Sequence, residues 1–347
     1  MKKLKLLFCL CLVTGLLATL AGCPATSHRA EPKAMAYFTF FDTVSYVYSY
    51  ADDAQETFSA NCQLAAETLE NYHQLFDIYH EYSGTVNLAT VNRNAGGEPL
   101  EVEPELISFL LYAKEMYTAT DGEMNVMMGA VLRLWHDCRE AASQDAAHAS
   151  IPTEEELAHG MDHTDINALE IDPERNTVRI TDPEASLDVG ALAKGYATER
   201  AAERLKEAGA EGYVLNIGGN IRTIGTRPDG SGWTTGIKDP QDTDRFAAKV
   251  LLQDTSCVTS GNYERYFTVD GVRYHHIIDK DTGMPAEYFS SVTVITRDSA
   301  LADALSTALF CMPYEQGLAL VEGLGDVQVL WILPDGTQYK TPDLELL

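Results

Sequence analysis

Three separated stretches of this chain carry residue types that could do chemistry: one suited to an anion, one to a hard cation and one to proton transfer. Ser186-Leu-Asp-Val-Gly-Ala-Leu-Ala-Lys-Gly-Tyr-Ala197 reads as a buried strand end bearing Asp188, a tight turn at Gly190, and a helix with Lys194 in its first turn. A helix N-terminus offers unpaired N–H groups and the positive end of its dipole, which suits an anion. Ala302-Asp-Ala-Leu-Ser-Thr307 puts Asp303 and Thr307 four residues apart, on one helix face. A carboxylate and a hydroxyl suit a hard cation such as Mg²⁺; a local helical hydrogen bond fits the same spacing. His276 sits at a strand end, close in sequence to Asp279. Histidine titrates near neutrality and can take a proton from a hydroxyl, although a structural strand histidine would look the same.

The glycines of Asn216-Ile-Gly-Gly-Asn220 allow close approach of backbone to a ligand or to another chain segment, or simply a tight hairpin. No G-x-G-x-x-G follows a strand and no P-loop spacing occurs, so neither a Rossmann site nor a Walker site is supported.

These residues need elements to hold them. Tyr37–Tyr50 is aromatic and β-branched and predicts a strand, and Asp53 can cap a helix running to about Tyr79. Residues 82–97 read as loop. Pro104 opens a helix that Asp121-Gly122 breaks, and Met124–Trp135 predicts a buried helix. Residues 139–165, with the Glu154-Glu-Glu156 run, read as a surface excursion with a short helix. Strands flank Asp172–Asn176, and Tyr213–Ile217 is another. The second half is strand-rich, with a hairpin turn at Asp270-Gly271. Ser299 can cap a helix to about Met312, Tyr314–Gly323 is the last helix, and Val327–Leu333 a late strand. Mixed elements without a βαβ rhythm predict an α+β fold with largely antiparallel sheets packed with helices.

The 347 residues include 52 acidic and 25 basic side chains, a formal charge of −27. Such a field repels nucleic acid and anionic lipid, and an anionic ligand would need a locally positive site or a bridging cation. Lys2, Lys3 and Lys5 precede an apolar run from Leu6 to Leu17, followed by Leu20-Ala-Gly-Cys23. This order resembles a bacterial lipoprotein signal. It predicts a signal peptide over 1–22, a lipidated Cys23 on a tether over 23–35, and one domain over 36–347. The mature charge is then −30, since three lysines are lost. The protein is expected outside the cytoplasm, lipid-anchored to a bacterial membrane. Cys62, Cys138, Cys257 and Cys311 remain, with no metal-type spacing; one disulfide or free thiols both fit.

Taken in order, the motifs resemble the ApbE family, the FAD:protein FMN transferases. They are Phe41-Asp-Thr43, Asp121-Gly-Glu-Met-Asn125 through Leu134-Trp135, Leu187–Tyr196, Asn216-Ile-Gly-Gly219, Thr259-Ser-Gly261, His276-Ile-Ile-Asp279 with Thr282-Gly283, and Ala302-Asp303 with Thr307. The resemblance runs from about Phe40 to Leu330.

It implies that FAD is the substrate, contacted by Asp188 and Lys194, with Phe41, the Glu123-Met124-Asn125 stretch and Ile278 against the flavin. It implies Mg²⁺ held by the Ala191 carbonyl, Asp303 and Thr307, and His276 as the base that activates an acceptor threonine. The acceptor would be a flavoprotein subunit of a membrane redox complex, of the Rnf type or the Na⁺-pumping quinone reductase type. Asp42, Asn125, Asn220 and Lys280 depart from the family pattern, where glycine, aspartate, aspartate and proline are usual. The same site would also serve an FAD pyrophosphatase, and a flavin-storing lipoprotein would need neither Asp303/Thr307 nor His276.

Overall fold

The computed structural model describes residues 32–347. The expected signal peptide over 1–22 and the expected lipidation site at Cys23 lie outside the described residues. Among the described residues, no helix is long and apolar enough to cross a membrane.

An eight-stranded antiparallel sheet forms the frame. Its strands are β1 (Lys33–Tyr37), β2 (Ser45–Ser49), β6 (Tyr213–Ile217), β7 (Asn220–Ile224), β10 (Ser256–Gly261), β13 (Ser291–Thr296), β14 (Gln328–Ile332) and β15 (Gln338–Lys340), in that spatial order. Helices α1 (Gln55–Phe76), α6 (Ala193–Glu207) and α7 (Ser299–Phe310) pack side by side and against one face of this sheet. The other face is covered by the hairpin of β8 (Trp233–Asp239) and β9 (Asp242–Leu252), whose Ile237, Val250 and Leu252 meet Cys257, Ile295 and Leu330. Every residue of β13 is therefore buried, the polar Ser291, Thr293 and Thr296 included. The α+β expectation holds.

The remaining elements build the rim around the site. A three-stranded sheet orders β3 (Leu100–Glu101), β5 (Thr177–Ile180) and β4 (Leu169–Asp172). Helices α2 (Leu88–Arg93), α3 (Pro104–Ala119), α4 (Gly129–Gln144) and α5 (Glu154–Met161) lie in the same half of the chain. The small hairpin of β11 (Tyr266–Val269) and β12 (Val272–His275) packs on α4 through Trp135, Phe267 and Tyr274. α8 (Tyr314–Leu324) follows α7.

Several local expectations are corrected. The strand expected over 37–50 is two strands, because Phe41 and Asp42 both take left-handed φ, near 52° and 51°, and turn the chain back. β1 begins at Lys33, inside the stretch assigned to the tether. Asp53 does not cap α1; its carboxylate takes Lys33 Nζ at 2.6 Å and the Tyr213 hydroxyl instead. The loop 82–97 contains α2, capped by the Asn87 side chain. α4 starts at Gly129, not Met124, because 124–128 is held as a turn by Thr120 Oγ1 and Asn125 Oδ1. α7 is capped by Asp298, whose carboxylate accepts from Ala300 and Leu301 N–H, rather than by Ser299. The segment carrying Asp188 is no strand; only Ser186 bridges, to Met128.

A buried ion pair ties the layers together. Arg222 on β7 binds Glu199 on α6 through two contacts, Nε to Oε2 at 2.9 Å and Nη2 to Oε1 at 3.2 Å. Glu199 Oε2 also accepts the Ser299 N–H at 2.7 Å, so sheet and both helices share one charge cluster.

Candidate active site

α6 and α7 touch at the point where chemistry is expected. The Gly195 N–H donates to Asp303 Oδ2 at 2.7 Å. A Cβ on Gly195 would lie 2.3 Å from Asp303 Cβ and 2.4 Å from the Ser299 carbonyl oxygen, so only glycine permits this approach. Asp303 is 4% exposed, and among the described residues no cation pairs with it. One turn on, Thr307 Oγ1 lies 3.2 Å from Ser260 Oγ of β10, which also meets Ser306 Oγ at 2.9 Å. Ser306 donates back to the Asp303 carbonyl at 3.0 Å. The residues present fit a hard cation: a buried carboxylate with one oxygen taken by an N–H, beside a hydroxyl on the same helix face.

The 186–193 segment is pinned from both sides. Asn92 of α2 exchanges two hydrogen bonds with the Leu187 backbone, at 2.7 and 2.9 Å. The Asp188 N–H donates to the Val126 carbonyl at 2.8 Å, which draws the 123–128 turn alongside. Gly129 lets the two runs meet, since a Cβ there would lie 2.4 Å from the Ser186 carbonyl oxygen. Asp188 Oδ1 accepts from Gly190 N–H at 2.9 Å, and Lys194 Nζ donates to the Gly190 carbonyl at 3.1 Å. Burial pushes the Asp188 carboxyl up, against the Gly190 N–H and the field of His136, Arg265 and Arg139.

His276 lies within the field of Lys194. Its Nδ1 is 3.3 Å from the Arg265 carbonyl, and with Nδ1–H donating there, Nε2 is left as the proton acceptor. Burial, then Arg265, His275 and Lys194, push its pKa down to about 3, so the imidazole is neutral at physiological pH. Arg139, Arg265 and His276 share a small hollow floored by Trp135. In a chain of net charge −27, Lys194, Arg139 and Arg265 make a locally positive place for an anion.

The other expected residues line the approaches. Phe41 stands at the left-handed turn after β1, its ring edge-on to His73 at 5.5 Å. Thr43 packs into Gly218, where a Cβ would come within 2.7 Å of Thr43 Oγ1, so this glycine serves another chain segment. Ile278 packs with Met128 and Trp135, and its carbonyl accepts from Cys311 Sγ at 3.7 Å. Met124 is buried in the main core. Asn125 donates from Nδ2 to the Thr164 carbonyl at 2.9 Å. The Glu123 side chain is 8% exposed, with Oε1 3.5 Å from Lys280 Nζ and Oε2 without a hydrogen-bond partner. Burial pushes its carboxyl up to about 7, against the pull of Lys280. Two departures from the family pattern thus concern contacts inside the molecule: Lys280 faces Glu123, and Asn125 holds the Thr164 backbone. The Ala191 carbonyl belongs to the turn just before α6.

Sequence reasoning missed Tyr79, His136, Arg139, Arg265 and Ser260's partner Ser306. The Tyr79 ring lies tilted against His136 at 5.3 Å, and its phenol is pushed up by burial and Asp188. No motif marks these side chains; α4, the end of α1 and the β10–β11 turn bring them in. The four cysteines of the described residues are free thiols.

The fold and this arrangement define a flavin-transferase class of protein by similarity. The ApbE family model matches residues 41–331, and the chain belongs to the ApbE family. It is 32% identical over 274 residues to an FAD:protein FMN transferase of Vibrio cholerae, covering 78% of this chain and 79% of that one. It is 33% identical over 263 residues to an FAD:protein FMN transferase of Treponema pallidum, covering 72% and 71%. The crystal structure of the ApbE protein from Thermotoga maritima superposes with a TM-score of 0.78 at 28% identity, over 90% of this chain and 97% of the other. The flavin transferase ApbE from Vibrio cholerae gives a TM-score of 0.74 at 29% identity, over 90% and 97%.

Proposed function

We propose that this chain transfers FMN from FAD to a threonine hydroxyl of a partner protein and releases AMP. One observation carries the reading: Lys194, aimed at the turn before α6, and Gly195, whose N–H holds Asp303, are adjacent residues in the first turn of one helix. A phosphate-facing lysine and a cation-binding carboxylate are thereby set side by side, with neutral His276 near Lys194.

The FAD pyrophosphate would be drawn by Lys194, Arg139, Arg265 and the N-terminus of α6. His276 Nε2 would take the proton of the acceptor hydroxyl as its oxygen forms the new bond to the FMN phosphorus. The bond from that phosphorus to the bridging oxygen breaks, and the bridging oxygen leaves with AMP. Asp303, Thr307 and the Ala191 carbonyl would hold Mg²⁺, which when bound neutralises charge building on the phosphoryl oxygens. Phe41, Ile278 and the 123–125 turn would orient the flavin end, and holding acceptor and phosphorus in line lowers the barrier further. The lipoprotein-like leader supports an extracytoplasmic, membrane-anchored enzyme acting on a flavoprotein subunit of a membrane redox complex.

The test incubates the full-length protein with FAD and a candidate acceptor subunit, with and without Mg²⁺. Flavin fluorescence on a denaturing gel and AMP by chromatography are the readouts. A fluorescent acceptor with stoichiometric AMP, only with Mg²⁺, is expected. Asp303→Asn, which keeps the side-chain shape, is expected to lose about 100-fold or more. Free FMN with AMP and no labelled acceptor would replace transfer by hydrolysis, and full activity in Asp303→Asn would remove the metal assignment.

A further inference from the structure

Two histidines that this reaction does not use stand together at the end of α5. His159 lies in its last turn and His163 just beyond it, with ring centroids 4.9 Å apart in edge contact. Glu184 reaches both. Its Oε2 is 3.1 Å from His159 Nε2, and its Oε1 is 3.8 Å from His163 Nε2. One ligand atom from each of the three residues falls within 4.8 Å of the others. In a tetrahedral zinc site with bonds of roughly 2.0–2.1 Å, neighbouring ligand atoms sit about 3.3 Å apart. Small side-chain torsions would close the set around one ion.

A fourth residue argues for a built site. His163 Nδ1–H donates to Asp182 Oδ2 at 2.7 Å, and Asp182 Oδ1 accepts the Glu184 N–H at 2.9 Å. The carboxylate cannot donate, so Nδ1 carries a proton, and in the neutral imidazole Nε2, the nitrogen nearer Glu184, holds the lone pair. This is the carboxylate–histidine arrangement that orients metal-ligating imidazoles. Here the two oxygens of Glu184 are divided between two imidazoles, while Asp182 takes the far nitrogen of one. His163 is 17% exposed and His159 63%, so an ion can enter from solvent on one side and water can fill the remaining position.

We propose that His159, His163 and Glu184, with Asp182 behind His163, bind a divalent transition metal of the zinc class. Imidazole ligands favour such ions over Mg²⁺, which separates this site chemically from the oxygen-only set at Asp303. The ion ties the end of α5 to the 182–184 turn, a few residues before Asp188. Thr164, next to His163, gives its carbonyl to Asn125, so the tie also braces the 123–125 turn. The site does not depend on the FMN-transfer reading.

The test titrates metal-free full-length protein with Zn²⁺ by calorimetry and with Co²⁺ in the visible range. Expected are micromolar zinc binding and intense cobalt bands of a tetrahedral complex. His163→Ala should weaken zinc at least 100-fold and abolish those bands, and Asp182→Asn should weaken it roughly 10- to 100-fold. Asp303→Ala should leave the zinc titration unchanged while losing Mg²⁺-dependent transfer, so the two sites fail separately. Circular dichroism of each metal-free variant reports folding. Zinc affinity equal in wild type and His159→Ala/His163→Ala would overturn the site, as would wild-type zinc binding weaker than about 1 mM.

Discussion

Gly195 and Asp303, 108 residues apart, are joined by a 2.7 Å hydrogen bond from backbone N–H to carboxylate in the contact between α6 and α7. The contact has no room for a side chain on α6. Gly195→Ala would set a Cβ 2.3 Å from Asp303 Cβ, so the helices must part. Overpacking of this kind costs about 1–3 kcal/mol. Urea denaturation should show that loss, and FMN transfer should fall far more than stability, because Asp303 moves with α7. Normal activity would show that the spacing is not needed.

His276 bears on acidity. Its pKa, pushed to about 3, lies below the ordinary value of 6.5, so the unfolded chain binds the extra proton first. Its contribution to stability is present above pH 6.5 and is lost as pH falls through the range down to 3. Imidazole NMR shifts of the free protein should show His276 neutral at pH 5, where an ordinary histidine is protonated. His276→Ala should keep FAD affinity while transfer drops about 10²- to 10⁴-fold. Unchanged transfer in that variant would rule out the base role.

Glu123 has the opposite sign. Burial raises its carboxyl to about 7 from 4.5, so the folded chain holds a proton that the unfolded chain has released. The associated stability is full below pH 4.5 and is gone once pH passes about 7. Glu123→Gln lacks this titration. Its melting temperature relative to wild type should rise between pH 5 and pH 8, by the equivalent of about 1–2 kcal/mol. A pH-independent difference would mean that Lys280, at 3.5 Å, keeps Glu123 ionised throughout.

Arg222 and Glu199 form the cluster that fastens β7 to α6 and α7. Removing one member leaves a buried charge, at a cost of about 3–5 kcal/mol. Arg222→Met should therefore unfold at much lower denaturant, whereas Arg222→Met with Glu199→Gln should recover part of the loss. Equal midpoints for single and double variants would show that the pair is not coupled.

The sequence by itself determined the family and marked the stretches whose residue types suit the proposed chemistry. Asp188, Lys194, Asp303, Thr307 and His276 sit in local patterns of charge, glycine and helix spacing that need no neighbours to read. The same locality located β6, β14, α3 and the hairpin turn at Asp270-Gly271. Only the tertiary structure decided which glycines are there for contact, since the clash at Gly195 comes from α7 and that at Gly218 from Thr43. It also decided that Asp53 serves Lys33 and Tyr213 rather than a helix end, because a buried hydroxyl and a nearby ammonium outcompete solvent-exposed N–H groups for one carboxylate. Arg139, Arg265 and Tyr79 enter the site, and Asp182 meets His163, through packing of distant segments. A side chain's electrostatic surroundings are set by whatever the fold lays against it, and no local spacing encodes that.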